Sequence, residues 1–161
     1  GIALAPTKRI TQPPNGHYTS ERIDQSTNWY ASHRLPGVDK CKNFHGHEYK
    51  FSLSLSGKHE SELRLLTLSH ITNILQNIQS EFENTLFIDR QDTQLMDFAK
   101  KLRAKHYELD HASTAEALCE HTTTKVVEQL GQVIDLSGIQ IRGELAETDR
   151  QGGVTKAKLV E

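Results

Sequence analysis

Three histidines and one cysteine stand close together in the first third of the chain. His45 and His47 are two residues apart, Cys41 precedes them, and His33 lies eight residues before the cysteine. On a β-strand, side chains two residues apart project from one face, about 7 Å apart along the strand. Two imidazoles placed in this way can reach one metal ion, and His33 on a neighbouring strand would supply a third nitrogen. A three-histidine set leaves the fourth position open for water or substrate, and it favours zinc over magnesium or calcium.

Two other interpretations of the cluster stay open from the residues alone. A His-x-His pair on a strand is commonly two surface or hydrogen-bonded histidines that bind no ion. Cys41 could also join the histidines in a four-ligand structural site, but such sites normally use paired cysteines at short spacing. In an open catalytic site, Cys41 would be a thiol beside a dication, which lowers its pKa and increases the thiolate available as a base.

The strands that must position these residues follow from the hydrophobic pattern. Residues 26–35 are rich in aromatic side chains and end at a Pro-Gly turn, which predicts a strand with His33 near its end. Residues 47–57 alternate between apolar and polar, which predicts a half-buried antiparallel strand whose apolar face continues into the histidine pair. Residues 63–68 are expected to form the second strand of a hairpin.

The pattern then changes to the helical period. Apolar residues recur at three- and four-residue spacing over 71–82, which predicts a helix with one buried stripe. A second helix is predicted over 94–103, and a third runs from Ser113-Thr114 to about Leu130. Either Ser113 or Thr114 can cap this third helix, and Glu116 can close a capping box.

The last part of the chain returns to strand alternation at 139–145, with a closing strand after Gly153. Antiparallel strands interrupted by a block of helices predict an α+β fold rather than a parallel sheet built from βαβ units.

The composition limits the classes of function. The chain has 161 residues with 19 Lys+Arg against 21 Asp+Glu, a formal net charge of −2. This charge leaves no electrostatic footprint for nucleic acid, and no apolar run approaches the roughly 20 residues that span a bilayer. Two cysteines cannot form a disulfide framework, so a cytoplasmic location is expected. Residues 1–20 are rich in turn signals and are predicted to form a loosely ordered arm, with 21–161 as a single domain.

One stretch of sequence resembles a known family. Tyr-Ala-Ser-His-Arg-Leu-Pro-Gly at 30–37, followed by Cys-x3-His-Gly-His-x-Tyr at 41–49, is similar to the 6-pyruvoyltetrahydropterin synthase family. The cysteine spacing looks most like its bacterial branch, the 6-carboxytetrahydropterin synthases of queuosine biosynthesis. The resemblance continues over about 26–153. It implies that His33, His45 and His47 bind catalytic zinc and that Cys41 is the general base.

The resemblance also implies two residues that bind the substrate. Thr114 matches a threonine at the start of a family helix that contacts the pterin, although the same residue can simply be a helix cap. Glu147 matches the family glutamate that holds the amino-pyrimidine edge through paired hydrogen bonds. We prefer Glu147 to Glu144 because alternation places residue 147 on the same strand face as Ile141. A carboxylate only accepts hydrogen bonds, so it suits the two N–H donors of a pterin ring.

The chain departs from the family at a second catalytic pair. The family has an Asp-His dipeptide after its first long helix, and the best alignment here substitutes Glu83 and Asn84. Asparagine cannot shuttle a proton at neutral pH, so the second acid-base group is missing from that place. His111, within Leu-Asp-His just before Thr114, is a candidate to supply the acid from a loop, whereas Asp89-Arg90 is another placement that also lacks a histidine. The segment 89–110 is longer than the usual family connection.

The resemblance implies the tunnelling fold, an antiparallel four-stranded sheet with helices packed on one face. It further implies subunits joined edge to edge into a trimeric barrel and two trimers stacked as a homohexamer. Active sites would then lie at subunit interfaces, so that Thr114 or His111 could serve a neighbour's zinc.

The implied substrate is 7,8-dihydroneopterin triphosphate, with Arg34 and Lys42 as candidate partners of the triphosphate. The implied products are 6-carboxytetrahydropterin, acetaldehyde and triphosphate. One alternative is elimination of triphosphate to give 6-pyruvoyltetrahydropterin. Another is a zinc-containing protein that binds pterins without full turnover.

Overall fold

The computed structural model describes residues 22–35, 43, 45–57 and 67–148 with their side chains, and residues 18–19, 59–66 and 154–160 by the course of their backbone. The elements follow one another as β1 (Tyr18–Thr19), β2 (Ile23–His33), β3 (His45–Gly57), β4 (His59–Glu60), α1 (Ser61–Phe82), β5 (Thr85–Asp89), α2 (Thr93–Leu102), β6 (His106–Leu109), α3 (Ala115–Gly131), β7 (Ile139–Thr148) and β8 (Val154–Val160). None of the helices that the structure describes has the length and apolar content needed to span a bilayer.

The main sheet has six strands in the order β6-β5-β2-β3-β7-β8, and β1 and β4 form a separate two-stranded ladder. The four strands β2, β3, β7 and β8 pair antiparallel, as predicted, while β5 pairs parallel with β2 and β6 pairs parallel with β5. The expected four-stranded antiparallel sheet is therefore only part of the sheet, which is mixed. The α+β class is confirmed, but a parallel βαβ unit, which the pattern argued against, is present as β5–α2–β6.

Helix α2 lies on the opposite face of the sheet from α1 and α3. Leu86 and Ile88 of β5 pack with Leu95, Met96 and Ala99 of α2. Phe87, between them, belongs instead to the core shared with α1 and α3. The prediction that all helices pack on one face is therefore wrong. The reason is that β5 is buried on both faces, and such a strand shows no apolar–polar alternation in its sequence.

Helix α1 begins well before its predicted start. Residues 63–68, which were expected to form a strand, lie within a 22-residue helix that ends at Phe82. The leucines in this segment continue the three- and four-residue spacing of the stripe that follows, and leucine is a good helix former. The turn residues before Ser61 therefore connect a strand to a helix rather than two strands of a hairpin.

Helix α3 begins with Thr114 as its N-cap, one of the two residues predicted. The Thr114 hydroxyl accepts a hydrogen bond from the backbone N–H of Ala117 at 3.2 Å. A capping box needs an acidic residue at this third helical position. Glu116 occupies the second position and is exposed, so the expected capping box does not form.

An ion pair joins the end of β2 to the start of α2. The Arg34 guanidinium donates to both carboxylate oxygens of Asp92, with the Nε–Oδ2 distance at 3.0 Å. The two side chains are 22% and 9% exposed. Asp92 is also the N-cap of α2, because its Oδ1 accepts from the Leu95 N–H at 3.3 Å. One carboxylate therefore fixes the added helix and holds it against the strand that carries His33.

Replacing Asp92 by alanine is expected to lower the free energy of unfolding by about 3 kcal/mol, because the change leaves a mostly buried guanidinium unpaired and removes a helix cap. The midpoint of urea denaturation measures the loss. Asp97→Ala, an exposed carboxylate on the same helix, is the matched control and should change stability by less than about 0.5 kcal/mol. Equal effects of the two substitutions would show that the Arg34–Asp92 pair does not stabilise the fold.

Candidate metal centre

Three imidazoles meet at the end of the sheet, on the face covered by α1 and α3. His33 and His45 are directly paired across β2 and β3, and His47 is paired with Ala31. Their ligand nitrogens all lie within 4.8 Å of one another. His33 is 1% exposed and the other two are half-buried. The apolar face of each strand therefore continues into the histidines.

Hydrogen bonds to backbone carbonyls determine which nitrogen carries the proton in each of the three neutral rings. His33 Nδ1 lies 2.8 Å from the Ser113 carbonyl oxygen, His45 Nδ1 lies 3.0 Å from that of Asn43, and His47 Nδ1 lies 2.8 Å from that of Thr148. A carbonyl oxygen only accepts, so each Nδ1 carries the proton and donates it. Each Nε2 is then left with a lone pair. A metal-ligating histidine usually donates the N–H of its other ring nitrogen to an acceptor of this kind, which fixes the orientation of the ring.

The geometry of the Nε2 atoms suits a metal ion. His33 Nε2 and His45 Nε2 are 3.2 Å apart, although neither can donate to the other when both Nδ1 atoms hold the protons. Two nitrogens bound to a tetrahedral zinc at about 2.05 Å lie about 3.3 Å apart. The Nε2 atom of His47 is buried and has no hydrogen-bond partner among the described residues. The donor set therefore fits a cation at the point where the three lone pairs converge.

The His33 imidazole is held in its neutral form, which is the form that binds metal. Its pKa is lowered to about 4, mainly by burial and also by the neighbouring His45 and His47, whereas the hydrogen bond to Ser113 acts in the opposite direction. Because the neutral ring is favoured near pH 7, no proton has to be removed from His33 before an ion binds.

Glu147 lies beside the three imidazoles on β7. It is paired directly with Tyr49 across β3 and β7. Burial raises the pKa of Glu147, and the exposed carboxylate of Glu116 raises it further, whereas His47 and His45 lower it. Its Oε2 is buried and has no partner among the described residues. Glu144, the alternative considered from the sequence, is paired with Ser52 on the other face of the sheet.

Cys41 lies outside the described residues, as does Lys42. The role of Cys41 as a base remains a prediction.

Thr114 directly follows a residue that contacts one of the three histidines. Ser113, whose carbonyl holds His33, immediately precedes this helix cap and is 1% exposed. Thr114 also lines a cavity of about 460 Å³ together with Arg34, Asp89 and Asp92. Arg34 points its guanidinium at Asp92 in this wall, so its positive charge is already paired within the chain.

His111 lies apart from the group of three histidines. Its ring is next to that of His121, with the ring centroids 5.9 Å apart, and its Nδ1 lies 2.8 Å from the Ala112 carbonyl oxygen. Burial lowers the pKa of His121, and His111 lowers it further. The proton-donor role of His111 remains a prediction.

Glu83 and Asn84, which replace the expected Asp-His pair, connect α1 to β5. Glu83 accepts a hydrogen bond from the Tyr30 N–H at 3.1 Å, and Asn84 adopts a left-handed φ of 58°, which asparagine tolerates better than most residues. Asn84 lines a second cavity of about 510 Å³, whose walls include Ser32, Glu48 and His47.

Sequence reasoning missed three groups that support the site. They are the carbonyl oxygens of Asn43, Ser113 and Thr148, which have no signature in a sequence because every residue has a carbonyl.

The chain matches the family model described as 6-pyruvoyl tetrahydropterin synthase over residues 22–155. It is 32% identical over 88 residues to a 6-carboxy-5,6,7,8-tetrahydropterin synthase of Aquifex aeolicus, covering 52% of this chain and 54% of that protein. It is 31% identical over 64 residues to an Archaeoglobus fulgidus protein provisionally given the same name, covering 40% of this chain and 56% of that protein. The chain thus spans about half the length of the curated relatives it matches.

Solved structures show the same fold at low sequence identity. A 6-pyruvoyl tetrahydropterin synthase from Plasmodium vivax superposes with a TM-score of 0.62 at 10% identity, covering 88% of this chain and 98% of that one. An uncharacterised protein from Wolinella succinogenes superposes with a TM-score of 0.64 at 17% identity, covering 86% and 97%. At these identities the likeness concerns the fold alone.

Proposed function

Because the chain belongs to the 6-pyruvoyl tetrahydropterin synthase family, we propose that it is a zinc-dependent cytoplasmic lyase that converts 7,8-dihydroneopterin triphosphate to 6-carboxy-5,6,7,8-tetrahydropterin, acetaldehyde and triphosphate. This reaction supplies queuosine biosynthesis. The observation that carries the proposal is the grouping of three imidazoles, each oriented by a backbone carbonyl, beside the half-buried carboxylate of Glu147. The names of the two relatives support the choice of product.

His33, His45 and His47 would hold the zinc. When bound, the ion would polarise the side-chain hydroxyls of the substrate and lower their pKa. A set of three histidine ligands would leave a fourth coordination position for the substrate.

The pterin ring would be held by Glu147. A carboxylate only accepts hydrogen bonds and offers about four lone-pair positions, so it can accept two N–H groups of an amino-pyrimidine. The buried Oε2 atom is one such acceptor without a partner among the described side chains. Thr114 would contact the pterin from the start of α3.

Cys41 would move the proton at the substrate side chain, and His111 would supply the second acid-base group. Asn84 cannot shuttle a proton at neutral pH, and Glu83 accepts a hydrogen bond from the Tyr30 N–H, so another residue is proposed for this role. Arg34 is paired with Asp92, which leaves Lys42 as the sequence candidate for contact with the triphosphate.

A homohexamer made of two stacked trimers, with active sites at subunit interfaces, is part of the proposal. Among the described residues, the outer edge of β2 pairs with β5 only at Ala31–His33, and β8 pairs only with β7. Unpaired strand edges favour pairing with another chain. Such an assembly could bring His111 or Thr114 of one subunit to the histidines of its neighbour.

One observation favours a second candidate function, a pterin-binding protein with zinc but without full turnover. The Asp-His pair expected from the family is replaced by Glu83-Asn84, and Asn84 takes part in the turn that starts β5. Without a second proton donor, the cleavage that releases acetaldehyde would stop.

The test is incubation of the zinc-loaded protein with 7,8-dihydroneopterin triphosphate, followed by mass analysis of the pterin and an acetaldehyde assay. We expect 6-carboxytetrahydropterin and acetaldehyde in equal amounts, both reduced in His111→Ala. Formation of 6-pyruvoyltetrahydropterin without acetaldehyde would instead identify the elimination reaction. Pterin binding with no product would establish the binding protein, and neither binding nor product would refute the proposal.

A further inference from the structure

The cavity of about 510 Å³ beside the metal centre has polar side chains that the proposed reaction does not use. Its walls include Tyr30, Glu48, Asn84 and Thr148, and His47 borders it. The Thr148 carbonyl, which accepts from His47 Nδ1 at 2.8 Å, makes this wall common to the cavity and the metal centre. A cavity of this volume is large enough for a small molecule.

Two side chains in the cavity are fixed to each other. Tyr30 and Glu48 are directly paired across β2 and β3, and the Tyr30 hydroxyl donates to Glu48 Oε2 at 2.7 Å. Both residues alternate with the ligand histidines along their strands, so the two side chains project from the other face of the sheet. Tyr30 is 55% exposed, and a carboxylate offers about four lone-pair positions. The pair therefore presents an aromatic ring beside a carboxylate that can accept further hydrogen bonds.

Asn84 lines the cavity in a backbone conformation that few residues adopt. Its φ of 58° is left-handed, and non-glycine residues in this region recur at ligand sites. The Asn84 N–H donates to the Tyr30 carbonyl at 2.7 Å, and the Tyr30 N–H donates to Glu83 at 3.1 Å. Tyr30 and Asn84 are thus held side by side. The exposed carboxamide of Asn84 can both donate and accept a hydrogen bond.

The chemistry of these walls favours one class of ligand. Among the described lining residues, Glu48 brings a negative charge, and none brings the positive charge of a lysine or arginine. A carboxylate can accept two adjacent N–H groups, and a carboxamide can donate to a carbonyl oxygen. An aromatic ring stacks on a flat heterocycle. These three features together match the 2-amino-4-oxopyrimidine edge that guanine and pterins share.

We propose that this cavity is a second ligand site, which binds a flat heterocycle through its 2-amino-4-oxopyrimidine edge. Glu48 accepts the ring N–H and the amino group, Asn84 donates to the carbonyl oxygen, and Tyr30 stacks on the ring. The inference goes beyond the proposed function, because this site uses neither the metal nor Glu147. Guanine nucleosides and pterins are the two sources of this edge that the experiment separates.

The experiment titrates wild type, Glu48→Gln, Tyr30→Ala, Glu147→Gln and the double glutamate variant with guanosine by calorimetry and with neopterin by fluorescence. Inosine, which lacks the 2-amino group of guanosine, tests whether the edge is recognised. Glu48→Gln keeps the size of the side chain and removes its charge. Glu120→Gln, which changes an exposed glutamate on α3, is the matched control. None of these measurements uses turnover, so failure of the proposed reaction would leave this test intact.

We expect wild type to bind guanosine and Glu48→Gln to weaken that binding about 10- to 100-fold, the range for loss of a hydrogen bond to a charged group. Tyr30→Ala should weaken it about 5- to 100-fold through loss of stacking. Inosine should bind about tenfold more weakly than guanosine. The Glu147→Gln and Glu120→Gln variants should bind guanosine as wild type does. Neopterin binding that persists in Glu147→Gln and is lost in the double variant would add pterins to the occupants of the cavity.

Three outcomes would overturn the assignment. If neither guanosine nor neopterin shows binding that depends on Glu48, the cavity does not recognise this edge. Loss of guanosine binding in Glu147→Gln, with wild-type affinity in Glu48→Gln, would place the nucleoside at the metal centre. Equal affinities for guanosine and inosine would show that the 2-amino group is not recognised.

Discussion

Replacing His47 by alanine is expected to remove most of the bound zinc and to lower kcat/KM by at least about a thousandfold. The ring contributes one of three converging Nε2 atoms, and its own Nε2 has no other partner among the described residues. A metal ion that polarises a substrate oxygen contributes several kcal/mol to the barrier, and each 1.36 kcal/mol is a factor of about ten in rate. Elemental analysis after dialysis and steady-state kinetics measure the two effects.

The matched control for this change is His70→Ala. His70 is a half-buried histidine on α1 and lies outside the group of three. The His70→Ala variant should keep one zinc per chain and should turn over the substrate at the wild-type rate. A full equivalent of zinc in His47→Ala would contradict the assigned ligand set, whereas zinc loss with full activity would show that the ion has no part in the reaction.

Replacing Cys41 by alanine should lower kcat about a thousandfold and leave zinc content and pterin affinity within a few-fold of wild type. Removal of a positioned general base costs on the order of 10² to 10⁴ in rate. Three histidines that lie together would hold the metal without the thiol, so the metal should remain. Product formation in single-turnover experiments and neopterin fluorescence measure the two quantities.

Cys119 offers a control of the same residue type. It is 1% exposed within α3, and its thiol donates to the Gly143 carbonyl at 3.6 Å. Cys119→Ala should retain turnover, and iodoacetamide should inactivate wild type and Cys119→Ala but not further affect Cys41→Ala. Wild-type turnover in Cys41→Ala would remove the cysteine from the mechanism.

Strands exposed on one face and helices with one buried stripe could be predicted from the sequence. The alternation in β3 and the stripe from Ile71 to Phe82 correspond to burial on one side only, so the periods are visible. Strand β5 is buried on both sides and β6 has only four residues, so neither shows a period that distinguishes it from a loop. The extent of the sheet could therefore not be predicted.

Part of the candidate site could also be predicted from the sequence, and part could not. The three histidines follow from strand parity and spacing, and the position of Glu147 beside them follows from parity on β7. The pairing of Tyr49 with Glu147 depends on the register between β3 and β7, which no local pattern determines. The link from Ser113 to His33 joins residues 80 apart through a carbonyl, and such a contact is visible only in three dimensions.

Strand β5 and the end of α1 also limit where another molecule could add a strand to the edge of β2. β5 occupies that edge at Ala31–His33. Next to it, Tyr30 donates its N–H to Glu83 and accepts a hydrogen bond from the Asn84 N–H, and the Asn28 carbonyl accepts one from Gln79. An added strand would therefore have to pair with the part of β2 before Asn28, at the end of the strand away from the three histidines.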